Sequence, residues 1–404
     1  MRRGHAGVRV LPQPRRPARR RGPVGRPPVG ALVERIRRFG PVRFDEFVDG
    51  ALYGEDGFFS TGRGAGRRTD FLTSPEVGPL FGAVVARAID AEWRRLGRPD
   101  PFVVVEGGAG RGALARSILD ARPSCLAALR YVCVERSPVL RERAAERLPV
   151  EPPANVFGAA GAGDPDAASP FVPGEGPVVT VLSDLPALTV TGVVVANELL
   201  DNLPFRLLER RHDDWAEVLV ALRDGGELVE VLASAPADAA AVGEQLVPTA
   251  AAGARIPLQG PAAGWLRRAL AVLERGRVVV VDFTATTPDL AARPWREWVR
   301  TYRGHAPGGA PLEAPGSQDI TCEVAVDQLA ARLGPPASDQ PQSDWLRRHG
   351  IDGLVEAART AWRERAHVGD LTALAARSRV GEGQALCDPA GLGAFRVLEW
   401  EVGR

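Results

Sequence analysis

Glu106 stands immediately before a loop that has almost no side chains. In "VVVEGGAGRGALARSIL" (residues 103–119) three valines run into this acid, and four glycines follow within six residues. Glycines after a buried strand let backbone approach a ligand closely, and the helix that follows offers unpaired N–H groups at its start. Two ligand classes use such a loop. The dinucleotide pattern G-x-G-x-x-G/A is met by Gly108, Gly110 and Ala113. The S-adenosylmethionine pattern, acid-x-G-x-G-x-G, is met in full by Glu106, Gly108, Gly110 and Gly112. A carboxylate at the strand end repels a pyrophosphate but suits a ligand carrying a sulfonium and an ammonium. The loop is therefore read as a cradle for S-adenosylmethionine made by Glu106, Gly108, Ala109, Gly110 and Gly112. A nicotinamide oxidoreductase is the distant alternative, and a purely structural turn is the plain one.

Further polar residues end the next apolar segments. Glu135 closes "YVCVE", where a carboxylate reaches ribose hydroxyls; its plainer reading is an acid at a helix start beside Ser137. Asp184, in "VLSD", is placed to accept from an adenine amino group, or simply to make a turn. "VVVANELLDNLP" ends an apolar run on Asn197 and Glu198, with Asp201 close behind. A solvated helix start accounts for one acid, but not for Asn-Glu at the end of a buried strand. Earlier in the chain, "TDFLTSPEVGPLFG" supplies Asp70 and Glu76. His305, in "YRGHAPGG", reads as a loop histidine. The four cysteines (Cys125, Cys133, Cys322, Cys387) form no CxxC pair, so neither metal nor a disulfide framework is expected, and a reducing cytoplasm fits.

These residues need a parallel sheet to bring them together. "FVVVE", "YVCVE", "PVVTVLSD", "GVVVANE" and "RVVVVDF" read as buried strands, separated by helical segments such as "GALARSILDA" and "SPVLRERAAERL", the latter capped by Ser137 with Pro138 in its first turn. Alternating strands and helices imply an α/β sheet with helices on its faces. Outside it, two short amphipathic helices break at Gly40-Pro41. A helix is expected from Thr73 or Ser74 through Trp93. A hairpin is expected around Asp224-Gly225-Gly226. Residues 285–380 read as irregular and helical, and "FRVLEWEV" as a last strand.

Composition narrows the partners. The chain has 404 residues, enough for more than one core, and no apolar run near the ~18 residues of a membrane span. All 51 basic residues are arginine, which reads as GC-rich bacterial coding. The first 28 residues hold nine arginines and no acid, so the formal charge of +1 conceals a body of −8. That balance disfavours nucleic acid and suits a basic partner. Residues 1–28, rich in proline, read as a disordered tail; the organisation expected after it is a helical cap over 29–98 and a main domain over 99–404, with insertions at about 205–260 and 285–380.

The motifs, taken in order, resemble those of the MidA-type methyltransferases, whose mitochondrial member is a complex I assembly factor and protein arginine methyltransferase. The landmarks are "ALYGEDGFF", "TDFLTSPEVGPLFG", "VEGGAGRGALARSIL", "VERSPVLRERA", "VVVANELLDNLPFRLLER", "YRGH" and "PGSQDIT", within residues 44–400. The chain departs from the family at Asp282-Phe283-Thr284, where Asp-Tyr-Gly is usual, and at Cys322-Glu323. The resemblance implies a class I, Rossmann-like fold with a mostly parallel seven-stranded sheet, and S-adenosylmethionine as cofactor. It also implies symmetric methylation of an arginine on a partner protein. Glu198 and Glu76 are then the expected guanidinium clamp, with Asp201, Asp70 and Asn197 in support. Neither nucleic acid nor membrane is expected as a partner; a homodimer is compatible with the sequence, and a mitochondrial matrix location applies only to a eukaryotic source. A small-molecule O- or N-methyltransferase, or a cofactor-binding assembly protein without turnover, are the other readings.

Overall fold

Runs of β-branched residues fix the central sheet, because valine fits a pleated surface buried on both faces. The computed structural model describes residues 9–10, 30–64, 73–158 and 175–403. They divide into two units, one drawn from Met1–Gly64, Asp201–Ala263 and Ala285–Arg332, the other from Ala65–Leu200, Gly264–Thr284 and Leu333–Arg404.

The second unit carries the seven-stranded sheet. Its strands are β1 (Phe102–Gly107), β2 (Leu129–Val134), β3 (Val178–Leu182), β4 (Val190–Asn197), β5 (Leu273–Asp282), β6 (Ser338–Pro341) and β7 (Arg396–Val402). Their spatial order is β6-β7-β5-β4-β1-β2-β3. The pairs β5–β4, β4–β1, β1–β2 and β2–β3 are parallel, whereas β7 runs antiparallel to both β5 and β6. The chain steps outward from β1 to β2 and β3, then returns to β1's other edge as β4. That reversal opens a crevice beyond the carboxyl ends of β1 and β4, where open α/β sheets bind ligands. Register places Gly107 opposite Ala196, so the glycine loop leaves the sheet beside Asn197.

The helices expected in this unit form, with one exception, and Pro153–Phe157 adds a short helix where the sequence reads as loop. Ala113–Asp120 follows the glycine loop, and Pro138–Ala145 starts at Ser137, whose side chain accepts from Leu140 N. The exception lies at Gly78, where the expected single helix splits into a short Ser74–Val77 turn and a long Pro79–Arg95 helix. Pro79 has no N–H to donate and disfavours helix at Gly78, and Glu382, from the helix Leu371–Leu386, caps the helix that restarts there. Its buried carboxylate accepts from Leu80 N at 3.0 Å, capping the long helix from 302 residues away. A Cβ at Gly78 would lie 2.2 Å from that carboxylate carbon.

In the first unit the helices Gly30–Phe39 and Phe44–Tyr53 break at Gly40, whose φ is +89°. The hairpin joins Trp215–Leu222 to Leu228–Ser234, with Gly225 and Gly226 both at positive φ. A correction falls in 285–332. Besides helix it holds a three-stranded antiparallel sheet of Val299–Arg303, Ala306–Pro307 and Asp319–Cys322. The alternation of Val299 and Thr301 inward, with Arg300 and Tyr302 less buried, was its signal. No helix among the described residues is long and apolar enough to cross a membrane.

Candidate active site at the carboxyl ends of the parallel strands

Three glycines shape the loop after β1. Gly108, Gly110 and Gly112 have φ of +68°, +54° and +74°, a region that side-chain-bearing residues rarely adopt. Gly108 and Gly112 are also packed closely, since a Cβ would lie 2.9 Å from Leu199 Cδ1 and 2.8 Å from Leu148 Cδ1 respectively. At Gly110 a Cβ would meet nothing within 4 Å. The loop is tight on its protein side and open at its middle. Ala109 is buried, and its N–H donates to Val134 O at 3.0 Å, tying the loop to β2.

Glu135 fastens the loop from below. One carboxylate oxygen accepts from Gly110 N at 2.9 Å and the other from Ser137 N at 2.8 Å. Burial raises its pKa, while those two N–H donors and Arg141 pull it down. Each oxygen has a second acceptor site, so the group can hold the loop and still meet a ligand hydroxyl.

Glu106 points into the protein. It is buried, its Oε2 accepts from Tyr131 Oη–H at 2.8 Å, and Ala115 N–H also donates to it. Burial is the largest effect on the carboxyl and pushes its pKa up to about 8, with the Glu135 charge adding to the rise. A cation at the crevice draws such a group back toward its charged form.

The end of β4 carries the other polar cluster. Asn197 is the last strand residue, and Glu198 follows with a φ of +50°. Successive side chains of a strand point to opposite faces; this left-handed residue ends that alternation, and Asn197 Nδ2 donates to Glu198 Oε1 at 3.0 Å. The same oxygen accepts from Ser74 N at 3.1 Å, which brings the turn bearing half-buried Glu76 to the strand end. Ser74 is itself held by Gln342, fully buried, whose Oε1 accepts from Ser74 Oγ at 3.1 Å. At the end of β5, Asp282 accepts from Leu200 N and Phe283 N, each at 2.9 Å, fixing the chain that follows Glu198.

The remaining residues singled out in the sequence are distributed as follows. Asp184 is exposed and bonds Arg268 through both oxygens, at 2.8 and 2.7 Å. Asp201 belongs to the other unit, where burial pushes its carboxyl up to about 7. Asp70 lies outside the described residues. Sequence reasoning passed over Tyr131, Gln342, any role of Ser74 beyond starting a helix, and the holding role of Asp282. Only Asp282 had a signal of its own, a polar residue ending an apolar strand as Glu106 and Asn197 do.

The glycine cradle, its open centre at Gly110 and the carboxylate of Glu135 fit the uncharged ribose and cationic amino-acid portion of S-adenosylmethionine. Fold and site together define an S-adenosylmethionine-dependent methyltransferase of class I. The family model described as "Putative S-adenosyl-L-methionine-dependent methyltransferase" matches residues 84–334. The chain belongs to this family, the MidA-type methyltransferases. A solved structure from Burkholderia thailandensis, bound to S-adenosyl-homocysteine, is 27% identical and superposes with a TM-score of 0.75, covering 94% of this chain and 95% of that one. Among curated relatives, the Drosophila melanogaster "Protein arginine methyltransferase NDUFAF7 homolog, mitochondrial" is 31% identical over 49% of this chain and 47% of its own length. The Danio rerio "Protein arginine methyltransferase NDUFAF7, mitochondrial" is 24% identical over 80% and 77%. The chain spans about half the length of the first of these relatives.

Proposed function

We propose that this methyltransferase modifies an ω-nitrogen of arginine on a partner protein. The observation that carries the reading is Glu198 at the end of β4, bent out of strand geometry with Oε1 held by two N–H donors. A carboxylate fixed in this way suits a guanidinium, which is planar, always charged and rich in N–H donors. Bound S-adenosylmethionine supplies a methyl group on a positively charged sulfur, a strong electrophile. The glycine loop and Glu135 hold that cofactor, with Glu135 on the ribose hydroxyls. Glu198 orients the guanidinium, and Glu76, on the turn that Ser74 ties to Glu198, is the second arm of the clamp. The residues act by holding and aligning, since orientation of the two reactants is worth more here than proton transfer. The acidic body after residue 28 suits a basic protein partner. The names of the curated relatives support the same substrate class.

The test incubates the purified chain with cell lysate and S-adenosylmethionine labelled at the methyl group. Expected is label on a protein band that yields methylated arginine on acid hydrolysis. Label confined to the small-molecule fraction, or cofactor bound with no S-adenosyl-homocysteine released, rejects the proposal.

A further inference from the structure

We propose that Gln342 is a positioning residue for methyl transfer, acting by setting the Ser74 turn against Glu198. Register puts it at the ligand end of the sheet. Pro341, the last residue of β6, pairs with Arg396 of β7, and Arg396 pairs with Asp282 at the end of β5. Val281 in turn pairs with Asn197 at the end of β4. Gln342 therefore leaves the sheet at the same end as Glu198, with β7 and β5 between them. The turn Ser74–Val77 joins the two points. Ser74 N donates to Glu198 Oε1 and Ser74 Oγ donates to Gln342 Oε1, each at 3.1 Å.

The donors and acceptors allow one arrangement. Gln342 Nε2 donates to Leu386 O at 3.1 Å, so the amide oxygen faces Ser74, and an amide oxygen only accepts. The hydroxyl proton of Ser74 is thus committed to Gln342 and its N–H to Glu198. Gln342 is a firm post: it is fully buried, and its N–H donates to Phe395 O at 2.6 Å beside the β6–β7 pair. Glu198 is fixed from its own side, since its N–H donates to Val281 O at 2.8 Å and Asn197 Nδ2 donates to its carboxylate. Beyond the turn, Glu382 holds Leu80 N and itself accepts from Ser378 Oγ at 3.0 Å. The glycine loop hangs on other bonds, to Val134 O and to Glu135. Cofactor wall and acceptor wall are held separately, so the loss of Gln342 is felt in transfer and not in cofactor affinity. A bond serving the fold alone would lower stability and leave the rate of transfer unchanged.

The inference rests on the role given to Glu198 in the proposed function. Its test follows release of S-adenosyl-homocysteine by the full chain with S-adenosylmethionine and cell lysate, well below the melting temperature of every variant. Calorimetry gives the affinity for S-adenosylmethionine. Ser74→Ala and Gln342→Met, the latter similar in length without the amide, are each expected to slow release about tenfold, the yield of one aligning hydrogen bond. Cofactor affinity should stay within about twofold of wild type. In a Glu198→Gln background the same substitutions should cost less than about twofold, because the group they act through has already lost its charge. Release at the wild-type rate, cofactor affinity that falls with the rate, or the full tenfold repeated in the Glu198→Gln background overturns the assignment. If Gln342→Met does not fold, Ser74→Ala, which spares the other bonds of Gln342, decides alone. Label on an acceptor other than arginine rejects the proposed function and leaves this cycle intact, whereas a wild type that releases no S-adenosyl-homocysteine rejects both.

Discussion

Replacing Glu106 by glutamine should make the protein less sensitive to alkali. In the fold the carboxyl ionises only at about 8, chiefly because it is buried, against an ordinary value of 4.5. Between those values the folded chain holds a proton that the unfolded chain has released. Stability therefore falls as pH rises through this window, at up to ~1.4 kcal/mol per pH unit. Over the whole interval the loss amounts to roughly 4–5 kcal/mol, a large fraction of a domain's net stability. Glutamine cannot ionise, and Tyr131 can still bond its amide. Urea unfolding of cofactor-free wild type and Glu106→Gln at pH 5, 6, 7, 8 and 9 provides the measurement. Glu135 and Asp201, whose carboxyls burial also raises, are present in both proteins, so the difference curve isolates Glu106. Expected is a wild type that loses ground steadily from pH 5 to pH 8 and a gap that stops changing above it. Parallel curves would show that Glu106 is charged in the fold, and the argument from burial would be wrong.

Three further predictions concern the crevice. Gly110→Val should abolish S-adenosylmethionine binding, since valine both strains the backbone at φ +54° and fills the open centre of the loop; calorimetry on a variant with a native circular-dichroism spectrum decides it. Glu135→Ala should weaken S-adenosylmethionine by roughly 1–3 kcal/mol, and unchanged affinity with lowered melting temperature would leave Glu135 a loop fastener alone. Glu198→Gln should bind the cofactor normally but lower transfer to the labelled lysate protein by about a hundredfold or more, a result that near-normal turnover contradicts.

The sheet and the glycine loop were legible because both are local patterns. Runs such as "VVVE" and "VVVVDF" can only be buried strands, and glycines spaced two apart after such a run have few other uses. The direction in which Glu106 points was not legible. Period-two reasoning assigns a residue to a face, but its hydroxyl partner, Tyr131, sits on a neighbouring strand 25 residues later. The break at Gly78 did have a local signal, Pro79, the same Gly-Pro pair that marks the break at Gly40. The placing of Ser74 was hidden for the same reason as Glu106, because Gln342 lies about 270 residues further on and has no periodic relation to it. The strands of 299–322 were missed because arginines dilute their alternation, while aromatic rings elsewhere in the segment resemble helix faces.

The tie from Ser74 to Gln342 has a consequence for when the enzyme becomes competent. On the ribosome the chain emerges from its N-terminus at roughly 5–20 residues per second. The contact between Gly110 and Glu135 spans 25 residues and is available within seconds of β1 leaving the exit tunnel. The turn that meets Glu198 must wait for a residue 268 positions later, and the cap on the following helix for one 302 positions later. During that interval, some tens of seconds at most, a nascent chain can possess its glycine loop without the wall against which an acceptor would be held. On the role proposed for that turn, the order in which the polypeptide is made delays transfer chemistry until nearly the last strand, Arg396–Val402, is ready to close the sheet.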